Sequence, residues 1–206
     1  PVYNCFFSCI RNCGCQALEN ALIYENNTYH IDFDDLERKA ADPLTRVMIL
    51  CNPHNPAGRV WTREELQRIG DICLKHHVFV IADEIHCELV MPGYEYTPFA
   101  SIDRDFQRNA AICNSPSKSF NIAGLQIANI IVEDDKMREH INRAINVNET
   151  CDVNPFGVEA LIAAYNEGEE WLTQLLDYLR KNYDDMCRFC GQYLPQFPLT
   201  KLEGTY

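Results

Sequence analysis

No run in these 206 residues approaches the roughly 18–20 consecutive apolar side chains that a membrane-spanning helix needs. Nor does any basic stretch followed by an apolar core read as an export signal, so the expectation is a cytoplasmic protein with no membrane partner. Positive charge is scarce: 18 Lys and Arg stand against 30 Asp and Glu, for a net charge of −12. Nucleic acid is a polyanion and would be repelled by such a surface, so it is excluded as a partner. The same deficit means that any anionic ligand needs a local, positively polarised cradle. No G-x-G-x-x-G follows a strand-like run, which disfavours a nicotinamide enzyme. Internal repeats and low-complexity linkers are absent too. A chain of this length can bury roughly 70% of its unfolded surface, enough for one domain or two.

Cysteine, by contrast, is abundant. The count of 11 is odd, which argues against complete disulfide pairing. Cys5, Cys9 and Cys13 recur at helical spacing beside Phe6 and Ile10 and predict one face of a helix. Cys187 and Cys190 continue a stripe through Leu172, Leu175, Leu176, Leu179, Tyr183 and Met186, again a helix face. In such positions free cysteine acts as a small buried hydrophobe. The spacing from Cys5 to Cys15 fits zinc poorly, so no metal is expected, although a cysteine-based metal or redox protein is a third functional alternative.

Four short apolar runs, Val47–Cys51, Val78–Ala82, Ala110–Cys113 and Ile127–Val132, are too short for helices and lack the alternation of half-exposed strands. They predict strands buried on both faces. Thr62-Arg-Glu-Glu65 is a capping box, and Leu66, Ile69 and Cys73 follow on one helical face. A helix between two buried strands is a βαβ unit, so the fold class is α/β, a mostly parallel sheet covered by helices. After Val132 the pattern turns helical. Asp134 caps a helix with Met137, Ile141 and Ile145, a second runs from Pro155 to a Gly168 C-cap, and a third covers about Glu170 to Leu194. Leu199–Tyr206 read as a strand just beginning.

Three segments carry the chemistry: Asn52-Pro-His-Asn-Pro-Ala-Gly58, Asp83-Glu-Ile-His86 and Ser115-Pro-Ser-Lys-Ser-Phe-Asn121. An amide, a carboxylate and an amine each follow a predicted strand, where α/β sheets place their ligands. In this order and spacing they resemble the fold-type I aminotransferase superfamily, whose cofactor is pyridoxal 5′-phosphate (PLP). Their wording is most similar to its cystathionine β-lyase (C–S lyase) subgroup.

The resemblance implies that Lys118 holds PLP covalently and, once displaced by substrate, takes the Cα proton; taken alone, a lysine between polar residues reads as a surface charge. Asp83 would keep the PLP ring nitrogen protonated; its plain alternative is a helix cap or ion pair, and Glu84 beside it is expected to be supporting. Asn55 would donate to the phenolic oxygen of PLP, and the Asn55–Pro56 bond is a candidate cis peptide. His86 stands where many aminotransferases carry tyrosine and would titrate near neutral pH; otherwise it is a packed histidine. Ser115 and Ser117 would give hydroxyl donors to the phosphate, or simply form a turn. Tyr3 would stack on the pyridine ring. Gln126 stands where the family often has arginine, as in the lyase subgroup.

The resemblance also implies a homodimer and a small amino-acid substrate. Residues 1–195 correspond to a partial large PLP-binding domain, and 196–206 to the start of the small C-terminal domain. The expectation is therefore a large domain truncated at both ends, with the phosphate-binding glycine turn before Pro1 and the substrate-carboxylate arginine after Tyr206. Two activities share every residue named: β-elimination from L-cystathionine or a cysteine S-conjugate, and transamination. A non-catalytic binding or regulatory relative is the alternative of another class.

Overall fold

The computed structural model describes residues 1–206. Its elements in chain order are α1 (Cys5–Asn12), β1 (Ile23–Glu25), β2 (Thr28–His30), α2 (Phe33–Ala40), β3 (Val47–Cys51), α3 (Arg63–Lys75), β4 (Phe79–Asp83), α4 (Arg104–Arg108), β5 (Ala110–Asn114), β6 (Asn129–Val132), α5 (Asp135–Val147), α6 (Pro155–Glu167) and α7 (Glu169–Tyr193). The sheet order is β3-β4-β5-β6, with β3, β4 and β5 parallel and β6 antiparallel to β5. β1 and β2 form a hairpin closed by Asn26 and Asn27, both in the left-handed region that asparagine tolerates.

One face of the sheet is the core. Leu50, Val80, Ala82, Ala110 and Ile112 pack against Leu66, Ile69, Ile72 and Cys73 of α3. α3 starts where the sequence says: the Thr62 hydroxyl accepts from the Glu65 N–H while the Glu65 carboxylate accepts from the Thr62 N–H. Asp32, Asp134 and Asn154 cap α2, α5 and α6 one way only, each side chain accepting from one N–H of the first turn.

Several expectations need correction. The strands are not all buried on both faces: Val47, Ile130 and Ile131 are about half exposed, because β3 and β6 are edge strands in this chain. α1 forms, but Cys5 and Cys9 on it and Cys13 and Cys15 just after it are exposed rather than buried, since no residue of that helix is fully buried. Gly168 does end α6, yet its φ is −87°, so a left-handed cap is not the reason for glycine. Space is: a Cβ there would lie 2.3 Å from both the Ala164 carbonyl oxygen and Cε1 of Phe120. The last residues start no strand. Instead, Gly204 makes a single bridge to Val90, and Glu203–Thr205 are buried against the body. Glu203 N–H donates to the Gly58 carbonyl (2.8 Å), and Thr205 N–H to that of Leu89 (2.8 Å).

Candidate active site

Parallel strands in register end side by side. Cys51, Asp83 and Cys113 are direct register partners across β3, β4 and β5, so they share one sheet face at the carboxyl edge. The loops leaving these three ends carry Asn55, His86 and Lys118, which puts residues more than 60 positions apart into one place.

The loop after β3 is pinned by Asn52, which is fully buried. Its backbone N–H donates to the Asp83 carbonyl (3.0 Å), its amide donates to the Thr97 carbonyl (3.2 Å), and its Oδ1 accepts from the Trp61 N–H (3.1 Å). Both Asn52–Pro53 and Asn55–Pro56 are cis. Asn55 is half-buried, and its N–H points at the Cys51 thiol (3.5 Å).

Asp83 is half-buried at the end of β4. Burial raises its pKa, opposed by the Ile85 N–H that it accepts (3.2 Å) and by the Lys118 ammonium. Glu84 turns the other way, accepting from the Phe99 N–H (2.8 Å) and the Tyr96 hydroxyl, and so fixes the 96–99 segment, a supporting role.

His86 is buried, and burial first, then Lys118, pushes its pKa down to about 4. The expected titration near neutrality is therefore overturned: the ring is neutral at physiological pH. Its Nδ1 is buried without a hydrogen-bond partner in the chain, and its ring meets the edge of Tyr206 at 5.6 Å.

Lys118 sits half-buried in a tight turn, closed by Phe120 N–H to the Pro116 carbonyl (3.0 Å) and Ile122 N–H to that of Ser117 (3.1 Å). Ser115 differs from expectation. Its single hydroxyl hydrogen goes to the Ile127 carbonyl (2.5 Å), and its oxygen accepts from the Ser117 N–H (3.1 Å). It builds the turn and has no hydrogen left for a phosphate; the Ser117 hydroxyl has no such commitment.

Tyr3, expected to stack on the pyridine ring, is 41% exposed and meets Phe6 edge-on at 5.7 Å. The Cys5 thiol raises its phenol pKa most, with Asp83 and Tyr206 adding to the shift. Gln126 is exposed, in the left-handed region at φ 52°.

Sequence reasoning missed Tyr206, for which a terminal Gly-Thr-Tyr offers no signal. It also missed Cys51 and Cys113. Aligning the three strands by their ends would have found them. Burial pushes these thiols up, to about 12 and about 11, so they flank Asp83 as neutral groups. No three His, Cys, Asp or Glu side chains converge to hold a metal ion.

The description "Aminotransferase class I and II" matches residues 1–205. The chain belongs to this family. It is 42% identical, over all 206 residues, to 53% of cystathionine beta-lyase PatB of Bacillus subtilis (strain 168). It is 34% identical to protein MalY of Escherichia coli (strain K12), again over the whole chain and 52% of the relative. The crystal structure of cystalysin from Treponema denticola, which contains a pyridoxal 5′-phosphate cofactor, superposes on the whole chain and 52% of its own with TM-score 0.98 at 36% identity. The chain thus spans about half the length of the curated relatives it matches. No helix is long and apolar enough to cross a membrane.

Proposed function

We propose that this family member is a PLP-dependent C–S β-lyase, acting on L-cystathionine or another cysteine S-conjugate and releasing pyruvate, ammonia and a thiol. The observation that carries the reading is the convergence of Asp83, His86 and Lys118 at the ends of two adjacent strands, β4 and β5, in a chain resembling PatB and cystalysin. The residues fit PLP: an amine for its aldehyde, a carboxylate for its ring nitrogen, an amide and a neutral histidine for its phenolic oxygen, and the Ser117 hydroxyl for its phosphate. The orphaned Nδ1 of His86 supports a ligand there, since a buried polar atom left unpaired is costly.

Bound PLP supplies the electron sink that makes a Cα–H bond acidic. The chain does the rest. The Lys118 Nζ would hold the cofactor and, when freed by substrate, would accept the Cα proton. The carboxylate of Asp83 would keep a proton on the ring nitrogen. Asn55 and His86 would donate to the phenolic oxygen; with its pKa pushed down to about 4 by burial and then Lys118, His86 would act by hydrogen bonding rather than by changing charge. Ser115 serves by shaping the turn.

Transamination is the second reading, favoured by the family description itself. Pyruvate formed from cystathionine without a keto-acid acceptor supports the lyase; strict dependence on an acceptor supports the transferase. We further read the intact protein as a cytoplasmic homodimer, residues 1–195 contributing to its large domain and 196–206 opening the small one. Titration of this chain with PLP tests the core of the reading. A visible absorption band should grow in the parent and be absent in Lys118→Ala. The same band in both refutes Lys118 as the attachment point, and no band in either shows that these residues alone do not assemble the cofactor site.

A further inference from the structure

The turns that carry Asn55 and His86 leave different strands, and residues 203–206 lie between them. Asn55 sits in a turn closed by Gly58 N–H to the His54 carbonyl (2.9 Å) and His54 N–H to that of Arg59 (2.7 Å). His86 opens a second turn, closed by Leu89 N–H to the His86 carbonyl (2.9 Å). At their base the two loops meet through the Asn52 N–H and the Asp83 carbonyl (3.0 Å). Further out, the chain from Glu203 to Thr205 bonds to both. The Gly58 carbonyl accepts from the N–H groups of Glu203 (2.8 Å) and Gly204 (3.2 Å). On the other side the Leu89 carbonyl accepts from Thr205 N–H (2.8 Å), and Met91 N–H donates to the Glu203 carbonyl (2.8 Å). The Glu203 carboxylate grips the first side again, accepting from Val60 N–H (3.0 Å) and Arg59 Nε (2.8 Å).

The slot between the loops is narrow. A Cβ on Gly204 would lie 2.8 Å from Cγ2 of Val60 and 3.0 Å from Cβ of Pro53, both on the Asn55 side. On the His86 side it would lie 3.0 Å from the Leu89 carbonyl oxygen. Any larger residue at 204 must push the two walls apart. Tyr206 then leaves the slot and meets the His86 ring edge-on, with centroids 5.6 Å apart. His86 Nδ1 has no hydrogen-bond partner in the chain, so packing, Tyr206 included, sets the tilt of that ring.

We propose that residues 203–206 are a clasp holding the Asn55 turn and the His86 turn at a fixed separation, with Gly204 and Tyr206 as positioning residues. Gly204 sets the gap, and Tyr206 orients the imidazole. Both act through Asn55 and His86. The clasp stands on the bonds described; its consequence for a bound cofactor rests on the reading of Asn55 and His86 as donors to PLP.

The test uses this chain in two arms. In the first, amide hydrogen exchange is followed without PLP at Gly58 and Leu89, whose N–H groups close the two turns. Gly204→Ala and Glu203→Ala should each speed exchange at both amides by at least about tenfold, while β4 amides stay within about twofold. Tyr206→Ala should speed Leu89 by about threefold and leave Gly58 unchanged, and Tyr206→Phe should match the parent at both. Unchanged exchange in Gly204→Ala and Glu203→Ala, or a change confined to one turn, overturns the clasp. An equal rise in β4 would mean general loss of stability and overturns it as well. In the second arm the visible band of bound PLP is recorded, since its position reports the donors at the phenolic oxygen. It should move in Gly204→Ala and Tyr206→Ala and keep the parent's position in Tyr206→Phe. An unmoved band in Tyr206→Ala overturns the role of Tyr206. No band in the parent would count against assembly of the cofactor site by this chain, and the exchange arm would then decide the clasp.

Discussion

Glu203→Ala should free the C-terminal segment from the body of the protein. The Glu203 carboxylate is largely buried and lies 2.8 Å from Nε of Arg59, itself 7% exposed at its side chain, and the same oxygen accepts from the Val60 N–H at 3.0 Å. Arg59 also pairs with Glu65 at 2.8 Å, donates to the Tyr29 carbonyl and lies over the Trp61 ring at 4.6 Å. Removing one partner of a buried pair costs about 3–5 kcal/mol, because the other charge is left uncompensated. Here Glu65 keeps part of the compensation, so the lower figure applies, about 3 kcal/mol. The backbone bonds of Glu203 and Thr205 to Gly58, Leu89 and Met91 survive the change and contribute about 1 kcal/mol each. The ion pair is thus about half of what docks the segment, and its loss acts locally before it unfolds the whole.

Native-state trypsin cleavage at Lys201 reads that local opening, since cleavage tracks the open population when reclosing is fast. A loss of about 3 kcal/mol corresponds to an increase of roughly a hundredfold in cleavage rate. Glu203→Gln keeps an acceptor for Val60 and Arg59 but no charge, and should give roughly tenfold. A rate within about threefold of the parent for Glu203→Ala would refute the reasoning.

Three further outcomes follow from packing and protonation. His54 is buried beside Trp61 with its pKa pushed down to about 4, mainly by burial, so its contribution is complete above the unfolded value of 6.5 and is lost as pH falls from there toward 4. Between pH 6.5 and 5 that amounts to about 2 kcal/mol, and urea unfolding of His54→Gln at the two pH values should show a slope shallower by that amount; an unchanged slope would mean that His54 takes up its proton in the folded state. Gly70→Ala gains about 1 kcal/mol of helix propensity but drives a Cβ to within 2.2–2.6 Å of three ring carbons of Phe106, which is stacked on Phe99. Overpacking costs about 1–3 kcal/mol, so calorimetry should find a net loss of about 0–2 kcal/mol, and a stabilised variant would contradict the crowding. Gly168→Ala should displace Phe120 and disturb the Trp171 bond to Ser119, changing tryptophan fluorescence with α-helical circular dichroism retained; an unaltered spectrum would count against the close approach.

Local chemistry was the readable part of this chain. Thr62 with Glu65, Asp134 and Asn154 announce helix starts because a cap needs only residues within one turn. The apolar runs ending at Cys51, Ala82 and Cys113 are legible for the same reason, each within a residue of the observed strand end, and together with α3 they point to the parallel order. Asn26-Asn27 between Ile-Tyr-Glu and Thr-Tyr-His was equally legible as a hairpin turn, a signal passed over. What the sequence could not disclose depends on non-local contact. Hydrophobic periodicity predicts that a strand or helix has an apolar side, not that another element covers it. That is why α1 leaves its cysteines exposed and β6 leaves Ile130 and Ile131 half uncovered. The Ser115 hydroxyl was assigned by resemblance to a phosphate, while its real partner, the Ile127 carbonyl, lies 12 residues away around a turn of unforeseeable shape.

The charge state of the site follows from these same placements. Three strand ends in register bring Cys51 and Cys113 to either side of Asp83, and burial keeps both thiols protonated, so neither competes for the carboxylate. Burial alone would favour a protonated Asp83; the Ile85 N–H and the Lys118 ammonium pull in the other direction. His86 adds no charge, since the same burial and the same lysine keep its ring neutral. The site is thus one carboxylate, one amine and one neutral imidazole in a chain of net charge −12. An anionic cofactor arriving there meets Lys118 as its electrostatic anchor. On the function proposed above, once that amine is consumed in a covalent bond the phosphate would depend, within this chain, on neutral donors such as Ser117. Replacing Lys118 should therefore abolish retention of PLP altogether, rather than convert it into ordinary non-covalent binding.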